Sequence, residues 1–191
     1  GIENAVSYLA KMGIDTESSE TTVQRTGAGI ALGSSAYSTV EMASMFGTIA
    51  NKGVYISPTS FTKVTDSNGN VILDGKALQQ TNQVYQPSTA WMLVDMLETA
   101  VQSGTGSRAQ VSGMTIAGKT GSNENKGLYF TGMSPYYSAA VWIGHDEYKS
   151  LANSTFGGAY SAPIFQRFMT TIHREKGLQD KAIIEDSPES L

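Results

Sequence analysis

Thr115-Ile116-Ala117-Gly118-Lys119-Thr120-Gly121-Ser122 is the stretch on which the fold turns. Its residues alternate in the two-residue period of a strand, and Gly121-Ser122-Asn123-Glu124-Asn125 after it cannot extend a helix. Two further runs of strand character follow, so strands are predicted at Thr115–Thr120, Leu128–Thr131 and Tyr137–Ile143. Turns at Ser122–Gly127 and Ser134-Pro135 join them. Parallel neighbours need a crossover of a dozen or more residues, so connections this short make the three strands antiparallel neighbours.

Helical patterns flank this unit on both sides. Downstream, Ser161-Ala162-Pro163 opens a helix carrying Ile164, Phe165, Phe168, Met169 and Ile172 on one side, with Pro163 in the first turn, where its missing N–H is harmless. Upstream, Pro87-Ser88 opens a helix with Trp91, Met92, Leu93, Met96, Leu97, Ala100 and Val101, stopped by Ser103-Gly104-Thr105-Gly106. Ser38-Thr39-Val40-Glu41 is a capping box and predicts a helix from Thr39 to about Lys52, burying Met42, Met45, Phe46, Ile49 and Ala50 and closed by Gly53. Ile2, Ala5, Val6, Leu9 and Met12 give a first helix ended by Gly13. Between them, Asp15 to Gly33 reads as an ordered loop or a short extended excursion. Tyr55, Phe61 and Val64, then Val71 and Leu73, read as a hairpin around Asp66–Asn70. The tail from Gly177 to Leu191 is expected to be mobile, leaving residues 1–176 as the folded part.

Composition narrows the function classes. Thirteen Lys and Arg against 17 Asp and Glu give a net charge of -4 with no basic run to track a phosphate backbone, so nucleic acid is not an expected partner. There is no cysteine, which removes disulfides, thiolate catalysis and cysteine metal sites. A hydrophobic fraction of 40% suffices for a core, and no apolar run reaches the roughly 20 residues that span a bilayer. The chain opens at Gly1 directly into a helical pattern, and upstream sequence is therefore expected.

Several motifs need weighing. Gly113-Met114-Thr115-Ile116-Ala117-Gly118-Lys119-Thr120 satisfies G-x-x-x-x-G-K-[ST] literally, which makes a nucleotide-binding protein one reading. A phosphate loop follows a buried strand and opens a helix, whereas here the motif sits in strand-like sequence. Gly104-Thr105-Gly106-Ser107-Arg108-Ala109 matches a dinucleotide fingerprint but follows a helix, so its glycines read as a stop and a turn. His145 beside Asp146 reads as loop, because neighbours on an extended chain face opposite ways. His173 is placed at a helix C-terminus, where a cation suits the dipole. No metal site is expected from two such histidines. Ser60-Phe61-Thr62-Lys63 is the one S-x-x-K, and it falls in the alternating hairpin, where i and i+3 face opposite sides.

Lys119-Thr120-Gly121-Ser122 at the end of a strand, followed by Tyr129-Phe130-Thr131-Gly132-Met133-Ser134-Pro135 and Tyr137-Ser138-Ala139-Ala140-Val141-Trp142-Ile143-Gly144, resembles the class A penicillin-binding proteins, members of the serine penicillin-recognising enzymes. Ala31-Leu32-Gly33-Ser34, Glu41-Met42-Ala43, Ala50-Asn51-Lys52-Gly53, Gly104–Ala109, and Gly158 with Ala162-Pro163-Ile164-Phe165 extend the resemblance over most of the chain. Members often carry Asp and Trp-Phe where this chain has Gly127 and Tyr129-Phe130, which predicts a mobile loop at Asn123–Gly127. There is no S-x-N motif here.

The resemblance implies an α+β fold, the C-terminal portion of the penicillin-binding domain, with an antiparallel sheet flanked by helices. It implies DD-transpeptidation, in which a serine attacks the D-Ala-D-Ala carbonyl of a peptidoglycan stem peptide, and acylation of the same serine by β-lactams. It assigns Lys119 and Ser122 to catalysis and Lys119, Thr120, Gly121 and Ser122 to substrate binding, with no metal and no cofactor. The nucleophile would come from an upstream part of the same domain, and the enzyme would work at the outer face of a bacterial cell membrane with its anchor outside this chain. A non-catalytic relative that binds stem peptides or β-lactams is a further reading.

Overall fold

Local chemistry sets the elements in the computed structural model, which describes residues 1–17, 23–123, 126–147, 149–152 and 155–185. In chain order these are α1 (Ile2–Lys11), α2 (Gly27–Leu32), α3 (Thr39–Ala50), β1 (Val54–Ile56), β2 (Lys63–Thr65), β3 (Val71–Asp74), α4 (Gly75–Leu78), β4 (Thr81–Gln83), α5 (Pro87–Gln102), a 3-10 turn at Ser107–Ala109, β5 (Ala117–Asn123), β6 (Gly127–Met133), β7 (Ser138–Gly144) and α6 (Ser161–Glu175). The capping box forms as expected, with the Glu41 N–H donating to Ser38 Oγ at 3.2 Å and Glu41 Oε2 accepting the Ser38 N–H at 2.7 Å. Pro87 stands at the start of α5.

β5, β6 and β7 form one antiparallel sheet in that order. Their register aligns Lys119 with Thr131 and Ala140, and Gly121 with Tyr129 and Trp142. α6 covers one face, where Phe130, Phe165, Met169, Ala162, Val101, Ala109 and Ile116 are buried together. α3 and α5 cover the other, joining Phe46, Ile49, Ala90 and Val94 to Ala117 and Met133. The Phe130 and Phe165 rings lie 4.8 Å apart and tilted by 58°. They occupy space left by two paired glycines: a Cβ on Gly118 would lie 2.7 Å from the Phe130 ring, and one on Gly132 3.0 Å from the Phe165 ring. Each fully buried ring is worth about 1.5–3 kcal/mol in transfer terms. A third cluster, around Met12, Ile14, Met45, Tyr55 and Val84, gathers α1, α3 and β1.

Four details depart from the sequence reading. Gly27–Leu32 is a short helix and not loop, its N–H at Gly29 accepted by Thr26 Oγ1 and its end set by Gly33 at φ +71. Six residues are too few to show a period. Residues 18–22 of that predicted loop lie outside the described residues. Tyr55 belongs to β1, which pairs with β4, and only β2 and β3 form the hairpin. The hairpin turn is tied by Asp66, whose carboxylate accepts the Asn70 side-chain amide and then the backbone N–H groups of Asn70 and Asn68; these bonds hold it below its usual pKa. The expected mobile tail is folded where it is described: Asp180 accepts the Thr115 N–H at 2.7 Å, and Ile184 is 5% exposed against Ala90 and Met133. An isolated pair of isoleucines, Ile183-Ile184, was too short a signal to reveal this burial.

His173 is the fourth departure. It lies in the last turn of α6, as the sequence reading places it, but is buried there and not exposed to solvent. Its Nδ1 donates to the Met169 carbonyl at 2.6 Å, and its Nε2 lies 2.9 Å from Ser134 Oγ. Ser134 Oγ accepts the N–H groups of Tyr136 and Tyr137, both at 3.2 Å, so its own hydrogen goes to Nε2. With Nδ1 donating and Nε2 accepting, every group in the network has a partner. Ser134→Ala strands the ring nitrogen and two backbone donors, and should lower unfolding free energy by about 1–3 kcal/mol. Urea denaturation of the variant checks this, and an unchanged midpoint at equal slope contradicts the network.

Candidate functional site

Strand β5 lies at one edge of the sheet, and alternation divides its motif between the two faces. Lys119 and Gly121 face the side of α3, while Thr120 and Ser122 face the side of α6. Lys119 is exposed, and its Nζ donates to the Thr120 carbonyl at 3.0 Å. Thr120 Oγ1 is 2.7 Å from Thr105 Oγ1, in the turn that ends α5. Ser122 Oγ accepts the Gly157 N–H at 3.2 Å.

Gly157 and Gly158 belong to the connection between β7 and α6, which crosses the strand at close range. A Cβ at Gly157 would stand 2.3 Å from the Tyr129 carbonyl and 2.7 Å from that of Gly121. A Cβ at Gly158 would stand 2.5 Å from the Thr105 carbonyl. Only glycine fits at either position. The start of α6 is pinned to the same sheet by the buried Ser161 hydroxyl, which donates to the Leu128 carbonyl at 2.9 Å.

On the Lys119 face, a cavity of about 460 Å³ opens beside Gly121, Ser122, Tyr129 and Trp142, walled opposite by the segment from Leu32 to Thr39. Tyr129 fastens that wall, its hydroxyl donating to the Tyr37 carbonyl. Burial raises the Tyr129 pKa, and nearby Glu41 adds to the effect, so the phenol keeps the proton it donates. Lys119 and Thr120 do not line the cavity, which reaches the motif at Gly121 and Ser122. Gly127 lies beneath the Trp142 indole: a Cβ there would be 2.9 Å from Nε1. The adjacent turn is closed by the Lys126 N–H donating to the Asn123 carbonyl at 2.7 Å; residues 124 and 125, the rest of the loop expected to be mobile, lie outside the described residues.

The structure also places the competing motifs. Gly113–Thr120 does not form a phosphate loop, because Lys119 sits within a strand and no helix begins behind it. Gly104–Gly106 stops α5, as expected. Ser60 precedes strand β2 in non-helical chain, so Lys63 is not one helical turn from it. His145 lies outside any element, just past β7. Among the described residues no His, Asp and Glu cluster suits a metal. Sequence reasoning missed Tyr37, Thr105 and Gly157 as neighbours of the motif. For Gly157-Gly158 a signal was present, since paired glycines before a helix mark a close backbone approach.

An antiparallel sheet covered by helices on both faces, with a Lys-Thr-Gly strand at its edge, defines the penicillin-recognising class. Residues 1–170 match the family described as the penicillin binding protein transpeptidase domain, and the chain belongs to that family. It is 33% identical over 180 residues to penicillin-binding protein 1A of Clostridium perfringens, covering 92% of this chain and 26% of the relative. Identity to penicillin-binding protein 1A of Clostridium novyi is 40% over 167 residues, covering 82% and 19%. The chain thus spans about a quarter or less of the length of these relatives. PonA1 of Mycobacterium tuberculosis in complex with penicillin V superposes with a TM-score of 0.80 at 23% identity, over 96% of this chain and 52% of that one. Penicillin-binding protein 1A of Haemophilus influenzae gives 0.79 at 20% identity, over 95% and 32%.

Gly157→Ala should push the β7–α6 connection off Gly121 and Tyr129, destabilising the protein by about 1–3 kcal/mol. A thermal melt reads this as a fall of about 2–4 °C per kcal/mol in a protein of this size. An unshifted melt means that the connection does not bear on the strand.

Proposed function

We propose that this chain supplies the Lys-Thr-Gly strand of a serine DD-transpeptidase that cross-links peptidoglycan, and that the serine nucleophile comes from an upstream part of the same domain. The observation that carries the reading is Lys119-Thr120-Gly121-Ser122 on an edge strand, with a cavity beside Gly121 and Ser122. An edge strand presents unpaired N–H and C=O groups to an extended peptide, and Gly121 leaves room for its approach.

The residues divide the work by their chemistry. Lys119 places a cation beside the stem-peptide carboxylate and the serine's hydrogen-bond network. The Thr120 and Ser122 hydroxyls donate to that carboxylate, and hydrogen bonds to a charged acceptor are the stronger kind. The Ser122 backbone N–H serves as one of two oxyanion donors, a contribution whose loss typically slows acyl transfer about a hundredfold to a thousandfold. The serine attacks the D-Ala-D-Ala carbonyl, D-Ala leaves with a proton, and the acyl group passes to an amine of another strand. β-Lactams acylate the same serine. An S-x-x-K helix from upstream completes the site, and further upstream strands extend the sheet to five, as in the family fold. The complete protein works at the outer face of a bacterial membrane; among the described residues no helix is long and apolar enough to cross one.

Lys119→Ala in the complete domain should cut penicillin acylation by about two orders of magnitude, the scale on which such electrostatic groups act, while the melting temperature stays near that of the parent. Activity within a few fold of the parent contradicts the assignment. This chain alone should form no adduct when incubated with a reactive penicillin and weighed intact, whereas adding the upstream polypeptide should restore one. A stoichiometric adduct on Ser60 or Ser122 overturns the division of the site.

A further inference from the structure

Resting on the transpeptidase reading, we propose that Thr105 is a positioning residue for the substrate-carboxylate site, acting through the Thr120 hydroxyl. The two Oγ1 atoms are 2.7 Å apart, a normal O–H···O distance in which either can be the donor. A hydroxyl carries one hydrogen and two acceptor lone pairs. If Thr120 gives its hydrogen to a bound carboxylate, the hydrogen between the two threonines must come from Thr105. The chain is then Thr105 O–H to Thr120 Oγ1 and Thr120 O–H to the anion, and each bond polarises the next.

Ser122 is arranged to the same end. Its Oγ accepts the Gly157 N–H, so its own hydrogen is free to be donated. Both hydroxyls of the motif therefore have a protein partner that satisfies a lone pair and leaves the hydrogen for a ligand. Such preset donors need not be ordered at the moment of binding.

The turn that holds Thr105 is fixed on three sides. The Ser103 N–H is accepted by Thr99 at 3.0 Å and that of Gly106 by Ala100 at 3.1 Å, tying the turn to α5. Gly106 is buried, and a Cβ at Gly104 would stand 2.7 Å from the Ala100 carbonyl. Across the strand, Gly158 approaches both the Thr105 carbonyl and Thr120 Cγ2, its Cβ position being 2.5 and 3.5 Å from them. With the methyl of Thr120 against Gly158 and its hydroxyl against Thr105, the side chain is confined to one rotamer, as a β-branched residue readily is. Arg108 adds a tie to the same connection by donating to the Ala159 carbonyl at 3.4 Å.

A threonine pair that only stitched a turn to a strand would affect stability and nothing else. The test uses the complete transpeptidase domain and two ligands, benzylpenicillin and its methyl ester, which lacks the anion. Thr105→Val should slow acylation by benzylpenicillin about tenfold, the size of one net hydrogen bond, while leaving the much slower reaction of the ester unchanged. Thr105→Ser should restore the parent rate, and Thr105→Ala should behave as the Val variant does if the latter folds poorly. Equal losses on both ligands, an unchanged rate with benzylpenicillin, or failure of Ser to rescue overturns the proposal. If the unsubstituted complete domain is not acylated by benzylpenicillin, the transpeptidase reading itself fails and this inference falls with it, a result distinct from a silent Thr105 variant.

Discussion

The seating of Phe130 and Phe165 in the space above Gly118 and Gly132 is the contact on which the rest of the site depends. It brings α6 down onto β6 and β7, and the connection before α6 then crosses the end of β5 at backbone contact distance. That crossing puts the Gly157 N–H on Ser122 and Gly158 against Thr120. A single methyl at Gly118 or Gly132 would meet a ring at 3.0 Å or less, so helix and sheet could no longer approach as closely. Packing in the core thus sets the rotamers of two surface hydroxyls.

Much of this was legible in the sequence because the strong signals were local. The capping box at Ser38, Pro87 at the start of α5, the two-residue period and the short turns between strands each specify backbone geometry within a few residues, and each formed. The Lys119 strand was placed by the same means, against a literal phosphate-loop pattern that ignores context. What escaped was non-local. The pairing of β1 with β4 joins residues 25 to 29 apart through two three-residue strands, too short to announce themselves. The burial of Ile184 and the Tyr129 bond to Tyr37 depend on contacts between distant segments, as does the pairing of Thr105 with Thr120.

Packing against Trp142 holds position 127 to glycine. A residue with a side chain at that position would collide with the Trp142 indole, which also lies against Gly144, the register partner of Gly127. The ring fills the volume beside Gly127, and it forms part of the cavity wall beside Ser122.

The exposure of Lys119 bears on how such a site gains strength. In open solvent an ammonium and a carboxylate 4 Å apart attract by about 1 kcal/mol, whereas near a partly desolvated surface the figure is about 4 kcal/mol. Here Nζ rests on the carbonyl of its own neighbour, Thr120, and the residue is exposed. Neutral donors suffer less from this, because hydroxyls such as those of Thr120 and Ser122 carry no ionic atmosphere and are held by Thr105 and Gly157 before any ligand arrives. In the proposed complete domain, an upstream helix closing over the strand would therefore contribute more than a nucleophile: by excluding water it would raise the worth of a charge that this chain supplies but leaves solvated.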